Sequence, residues 1–170
     1  MENIRKQIAV YIEEHRNVMM DFWRQLVQIE SGSANKAGVD AVARRVQEEL
    51  DTIGAHTEIH EMKRAGNMLV SVLNEDVPEA PVLLLGHMDT VFPDGTVADR
   101  PFTLRDGKAY GPGVLDMKGG VTIAVFAMKA LKEAGWTKRP VRLVLVGDEE
   151  VGHRNSDANQ QIMEQSRGAV

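Results

Sequence analysis

The chain reads as an α/β domain with a largely parallel sheet. Two observations predict this. Segments with apolar residues at helical spacing alternate with short strand-like runs. Two of those runs, Pro81–Leu85 and Val141–Val146, are continuously apolar, the mark of strands buried on both faces.

The elements follow in order. Ile8, Tyr11, Ile12, Val18, Phe22, Leu26 and Ile29 recur at helical spacing, which predicts a helix over 4–29, interrupted near His15. Ser31-Gly32-Ser33-Ala34-Asn35 has loop composition. Val39, Val42, Val46, Leu50 and Ile53 define the buried face of a second helix over 38–53, with Gly54 as its stop. The period then changes. His56–Met62 alternates weakly, and Asn67–Leu73 reads as a firmer strand. Phe102–Tyr110 folds back on itself around Asp106-Gly107, a hairpin signal. An apolar helix over 119–134 ends at Gly135, and a last helix covers 156–165. Gly168-Ala169-Val170 reads as the first residues of another strand, so the expectation is a chain that stops inside a domain. The sequence contains no internal repeat, low-complexity tract or Pro/Gly-rich linker that would divide it.

Composition narrows the function. The apolar fraction is 43% and the charged fraction 26%, ordinary for a globular protein. A net charge of -5 argues against a nucleic-acid partner, which needs a basic stripe. Cysteine is absent, so any metal would have to use His, Asp or Glu. The opening residues lack the apolar core of a signal peptide, and no apolar run reaches membrane length. The expected location is therefore cytoplasmic, with no membrane partner.

Three clusters carry chemistry. Gly86-His87-Met88-Asp89-Thr90 follows the first continuous apolar run directly. Ligands of parallel α/β sheets bind at the carboxyl ends of strands. His87 has a nitrogen for a metal, and Asp89 is placed to take the other ring N–H. The alternative is a polar turn with Asp89 as a cap. Asp116, inside Tyr110-Gly111-Pro112-Gly113-Val114-Leu115-Asp116-Met117-Lys118-Gly119-Gly120, precedes a helix and would serve equally as an N-cap. Gly119 and Gly120 are poor helix formers, which suggests a close backbone approach. Gly147-Asp148-Glu149-Glu150-Val151-Gly152 follows the second run. Its carboxylates repel unless a cation compensates them, or else form a solvated acidic loop. Together, His87, Asp116 and Glu150 make a nitrogen-and-oxygen set suited to zinc, cobalt or manganese.

These motifs, in this order and spacing, resemble the co-catalytic zinc family of glutamate carboxypeptidases, aminoacylases, acetylornithine deacetylases and succinyl-diaminopimelate desuccinylases. The likeness runs from about Arg5 to the end, and the stretch from Gly86 to Gly120 looks most similar to the glutamate carboxypeptidase branch. The resemblance implies a three-layer α/β/α catalytic domain with a mostly parallel mixed sheet, of which residues 1–170 are the N-terminal part. It implies a hydrolase of peptides or N-acyl amino acids with two zinc ions (or cobalt or manganese). His87 would bind one metal, oriented by Asp89. Asp116 would bridge both, followed by a cis peptide bond. Glu149 would be the general base, and Glu150 would bind the second metal. Two cations roughly 3.5–4 Å apart would activate a shared water and polarise the scissile carbonyl.

The family also needs a carboxylate beyond Val170, a distal His and a lid and dimerisation domain. The expectation is thus a chain that is inactive or nearly so by itself, with partial or no metal occupancy. The alternative is a non-catalytic folded remnant or interaction module with weak metal binding. His153 is a candidate substitute ligand, although a solvated loop histidine is the plainer reading. Self-association through an exposed sheet edge is expected as well.

Overall fold

A computed structural model describes residues 2–170. The period-3.6 stretch at the start forms two helices, α1 (Glu2–Glu14) and α2 (Arg16–Gln28), separated at His15 as expected. His15 leaves helical geometry (φ -99°, ψ 9°), and its Nδ1 sits 2.8 Å from the Tyr11 carbonyl. Helix α3 (Lys36–Asp51) is capped by Asn35, whose side chain accepts from the Gly38 amide. Strands β1 (His56–His60), β2 (Gly66–Leu73) and β3 (Val82–His87) follow. A short helix α4 (Thr96–Asp99), not anticipated from the sequence, precedes the hairpin β4 (Thr103–Arg105) and β5 (Lys108–Tyr110). Asp106 and Gly107 both have positive φ at the hairpin turn, as a two-residue type I′ loop requires. Helix α5 (Gly120–Glu133), strand β6 (Val141–Gly147) and helix α6 (Ala158–Ser166) complete the order.

The main sheet runs β1-β2-β6-β3. It is mixed, as the α/β class expects, but the parallel share is smaller than the apolar runs suggested. Only β3 pairs parallel to β6; β1–β2 and β2–β6 are antiparallel. The reason is connection length. The links after β1 and β2 are too short for a crossover, so each returns the chain in the opposite direction. The longer path from β3 through α5 allows the parallel pairing that puts β6 between β2 and β3.

Helices cover both faces. Leu143 and Leu145 of β6 and Leu69 and Leu73 of β2 face Phe22, Leu26, Val39, Val46, Val125 and Phe126 of the helices. The alternate residues Val144, Val146, Met68 and Val70 face Ala158 and Ile162 of α6. This period-2 division is what makes β6 a wholly apolar run, and it gives the three layers.

One expectation needs correcting. Strand β3 is not buried on both faces: it lies at the sheet edge, and Leu85 is 51% exposed. Its leucines reach both faces, Leu84 touching one apolar cluster and Leu83 the other, but only β6 flanks it as a full strand. On its outer side, Val170 donates to the Pro81 carbonyl (2.9 Å) and accepts from the Leu83 amide (3.3 Å). This pair of bonds has the pattern of a parallel bridge.

Candidate metal centre

The three clusters meet at the carboxyl ends of β3 and β6. His87 is the last residue of β3, and Asp148 to Val151 follow β6 directly. Parallel pairing of β3 with β6 sets His87 opposite Val146, so both strands deliver their loops to one edge.

Asp116 arrives by a different route. Gly113 (φ +66°) turns the backbone where a side chain would collide with Thr90 Cγ2. The segment Val114–Gly119 then makes one wide turn, closed by the Lys118 amide on the Gly113 carbonyl (3.0 Å), with Asp116 outside helical geometry (φ -112°, ψ 102°). The Asp116–Met117 peptide bond is cis. Two side chains tie this turn to the α2 end of the domain. Trp23 Nε1 donates to the Val114 carbonyl (3.1 Å), and the buried Lys118 ammonium donates to the Ile29 carbonyl (2.7 Å). Burial pushes Lys118 down to about 8. The capping alternative for Asp116 is not what forms: the residues preceding the turn and α5 are Gly113 and Gly119, and neither end carries a side-chain cap. The two glycines at the start of α5 do mark a close approach, because a Cβ on Gly119 would lie 2.8 Å from the Val114 carbonyl oxygen.

One nitrogen or carboxylate oxygen from each of His87, Asp116 and Glu150 lies within 4.8 Å of the others. His87 Nε2 is 3.0 Å from Asp116 Oδ1 and 3.9 Å from Glu149 Oε2. The other ring nitrogen, Nδ1, is 3.3 Å from Asp89 Oδ1 and 3.1 Å from the Asp89 carbonyl. The ring therefore presents Nε2 to the carboxylates while Asp89 takes Nδ1. Burial opposes charging the ring, but hydrogen bonds to Asp89 and Asp116, with the charges of Asp89 and Glu149, outweigh it and raise His87 to about 9. Glu150 is shifted upward by burial and by Asp116, Asp89 and Glu149, against the pull of His87. A site that holds a proton among several carboxylates is one where a divalent cation would relieve the repulsion. The donor set, one imidazole nitrogen and two carboxylates at close range, fits such a cation.

The sequence singled out His87, Asp89, Asp116, Glu149 and Glu150, and all five converge here. His153 does not join them. Its Nδ1 is 3.0 Å from Asp148 Oδ1, and its ring is mostly covered. It is neither a ligand nor a solvated loop residue, but a brace on its own loop. Asp148 is buried and also accepts from the Ser156 hydroxyl (3.0 Å), so the acidic triplet splits: one carboxylate turns inward and two face the site. Sequence reasoning missed Lys118 and Ser33. Ser33 donates from Oγ to Asp89 Oδ2 (2.6 Å). The isolation of Lys118 among small and apolar residues could have flagged it; a serine in a polar loop carries no such signal.

The fold and this edge define an α/β domain with a His/carboxylate cluster at strand ends. Residues 83–168 match peptidase family M20/M25/M40, and the chain belongs to that family. It is 34% identical over 134 residues to carboxypeptidase G2 of Pseudomonas sp. (strain RS-16), covering 75% of this chain and 31% of that protein. It is 31% identical over 138 residues to acetylornithine deacetylase of Proteus mirabilis (strain HI4320), covering 77% and 35%. The chain thus spans about a third of the length of these relatives. Human carnosine dipeptidase 1 shares the fold, with a TM-score of 0.81 at 22% identity, over 96% of this chain and 39% of that one. Among the described residues, no helix is long and apolar enough to cross a membrane.

Proposed function

We propose that this centre serves hydrolysis of an amide or peptide bond in peptides or N-acyl amino acids. The observation that carries the reading is the convergence of His87, Asp116 and Glu150 within 4.8 Å, with Glu149 beside them, in a chain of the M20/M25/M40 family. His87 Nε2, Asp116 and Glu150 would hold the metal, with Asp116 shared between two zinc, cobalt or manganese ions. When bound, these cations supply Lewis-acid polarisation of a carbonyl and a lowered pKa for water.

The remaining roles belong to the chain. Glu149 is half exposed at the mouth of the site, where its carboxylate can take a proton from the attacking water and return it to the leaving nitrogen. Asp89 fixes the imidazole so that Nε2 stays aimed at the carboxylates. Residues 1–170 form the N-terminal part of a catalytic domain in this reading. With Asp116 counted for both, each cation has two protein ligands here, where a catalytic zinc has three. The 170-residue chain therefore turns over slowly or not at all, and the whole protein carries the activity. The exposed Leu85 and Ile123, which line one hollow beside β3, support self-association through this face, which sedimentation across concentrations would detect.

The test is hydrolysis of N-acyl amino acids and dipeptides with zinc or cobalt. Glu149→Ala in the whole protein is expected to lower kcat by about 10²–10⁴-fold while metal content is kept. Unchanged turnover would remove Glu149 from the role of base.

A further inference from the structure

Asp89 does more than meet the histidine. Its carboxylate is fully buried and accepts from four directions. Oδ1 takes the Glu149 amide (3.1 Å) and faces His87 Nδ1 (3.3 Å); Oδ2 takes the Glu150 amide (3.2 Å) and the Ser33 hydroxyl (2.6 Å). One side chain thus joins the β3 end, which carries His87, to the β6 end, which carries Glu149 and Glu150. The spacing between the two halves of the centre is set by these bonds, because the loop's own side chains point outward into the site.

Ser33 is itself held firmly. The segment around Gly32 runs beside Thr90 as an isolated parallel bridge. The Thr90 amide donates to the Ser31 carbonyl (2.9 Å), the Ser33 amide donates to the Thr90 carbonyl (3.1 Å), and the Ser31 hydroxyl donates to the Met88 carbonyl (2.9 Å). Three bonds therefore register the loop after α2 against the residues that bear Asp89. The Ser33 hydroxyl arrives at Oδ2 from a fixed backbone, and its 2.6 Å bond is the shortest of the four.

We propose that Ser33 is a positioning residue for the metal centre, acting through Asp89, whose carboxylate clamps the amides of Glu149 and Glu150 and the ring of His87 into one unit. The inference rests on the metal reading above for its functional meaning, but the clamp itself exists without metal. Without the Ser33 hydroxyl, Oδ2 keeps only the Glu150 amide. The carboxylate can then rotate, and both the imidazole and the Glu149–Glu150 loop loosen together. Partners that orient metal ligands in this way are worth about 10–100-fold in metal affinity.

The test compares the wild-type 170-residue chain with Ser33→Ala, Ser33→Thr and Asp89→Asn. Three readouts are used: zinc affinity by chelator competition, the visible spectrum of bound cobalt(II), and hydrogen exchange of the Glu149 and Glu150 amides without metal. Ser33→Ala is expected to weaken zinc about tenfold, alter the cobalt spectrum and speed exchange at both amides. Ser33→Thr, which keeps the hydroxyl, restores all three. Asp89→Asn, which offers one acceptor oxygen in place of two, exposes at least one of the two amides more than Ser33→Ala does. Wild-type exchange and zinc affinity in Ser33→Ala would overturn the proposal. So would an effect seen only in the KM of the whole enzyme, which would make Ser33 a substrate contact on the adjoining cleft. If the wild-type chain binds neither zinc nor cobalt, the two metal readouts are taken on the whole protein, where absence of binding sinks the metal reading, and amide exchange in the 170-residue chain still decides the clamp.

Discussion

The inner and outer halves of the centre are built differently. His87 and Asp89 have side chains only 7% and 0% exposed, and each polar atom of the Asp89 carboxylate has partners. Asp116 and Glu149 are 74% and 51% exposed: their carboxylates reach out from a wide turn and a short loop whose backbones are anchored by Trp23, Lys118 and Asp89. The inner half is paid for by folding and is rigid before any ligand arrives. The outer half consists of carboxylates brought near one another against their repulsion, which a cation can offset. Stability and chemistry therefore fall on opposite sides of one small site, with His87 shared between them.

Removing Asp89 breaks this division most severely. Asp89→Ala leaves two loop amides and the Ser33 hydroxyl without their carboxylate acceptor, and leaves His87 Nδ1 only the backbone carbonyl of residue 89. Loss of a buried charged partner of this kind costs about 3–5 kcal/mol, which urea unfolding would read as a large drop in midpoint. A loss below about 1 kcal/mol would show that the inner half is not the stabilising one.

A smaller effect comes from an ion cluster away from the site. Glu49 accepts from Lys129 and from Arg45 (2.8 Å). Burial raises its pKa, but the two cations outweigh burial and hold it below the ordinary carboxylate value of 4.5. A carboxylate with a depressed folded-state pKa binds protons more readily when unfolded, so stability rises with pH through its range. Its contribution is present above about pH 4.5 and is lost as pH falls below that value. Partial exposure and screening keep it modest. Glu49→Gln is expected to flatten this part of the stability profile, and an unchanged profile would assign acid sensitivity elsewhere.

Asp116 gives the smallest change in stability and sharpens the contrast. Asp116→Ala in the metal-free chain is expected to alter stability by no more than about 0.5 kcal/mol, as for an exposed side chain. Zinc binding should nevertheless fall steeply, since each cation loses one of its two protein ligands. Thermal unfolding with and without zinc separates the two: the zinc-induced rise in Tm disappears while the metal-free Tm stays. A marked fall in the metal-free Tm would mean that Asp116 also holds the fold.

Much of this was legible in the linear chain wherever the cause is local. Helical periodicity located α2, α3 and α5, the break at His15 was visible, and Gly54 and Gly135 (both φ +67°) end their helices in the left-handed conformation expected of helix stops. The Asp106-Gly107 turn was readable because few dipeptides adopt two positive φ values in succession. The short helix α4 was not, since four residues, Thr96–Asp99, show no period. The edge position of β3 was hidden because an apolar run reports what its side chains touch, not how many strands flank its backbone.

The residue types of the centre, their order and their place after apolar strands belong to the sequence alone. A histidine, an aspartate and a pair of glutamates are chemical facts that no fold alters, and together with the motif spacing they sufficed to indicate the family. Which carboxylate faces which partner was decided only in three dimensions. Asp148 turns inward to His153 and Ser156, Asp89 reaches across to the amides of Glu149 and Glu150, and Ser33 completes it from 56 residues away. The physical reason is that hydrogen bonds act over about 3 Å and ignore separation along the chain, so their partners exist only once β3 and β6 lie side by side.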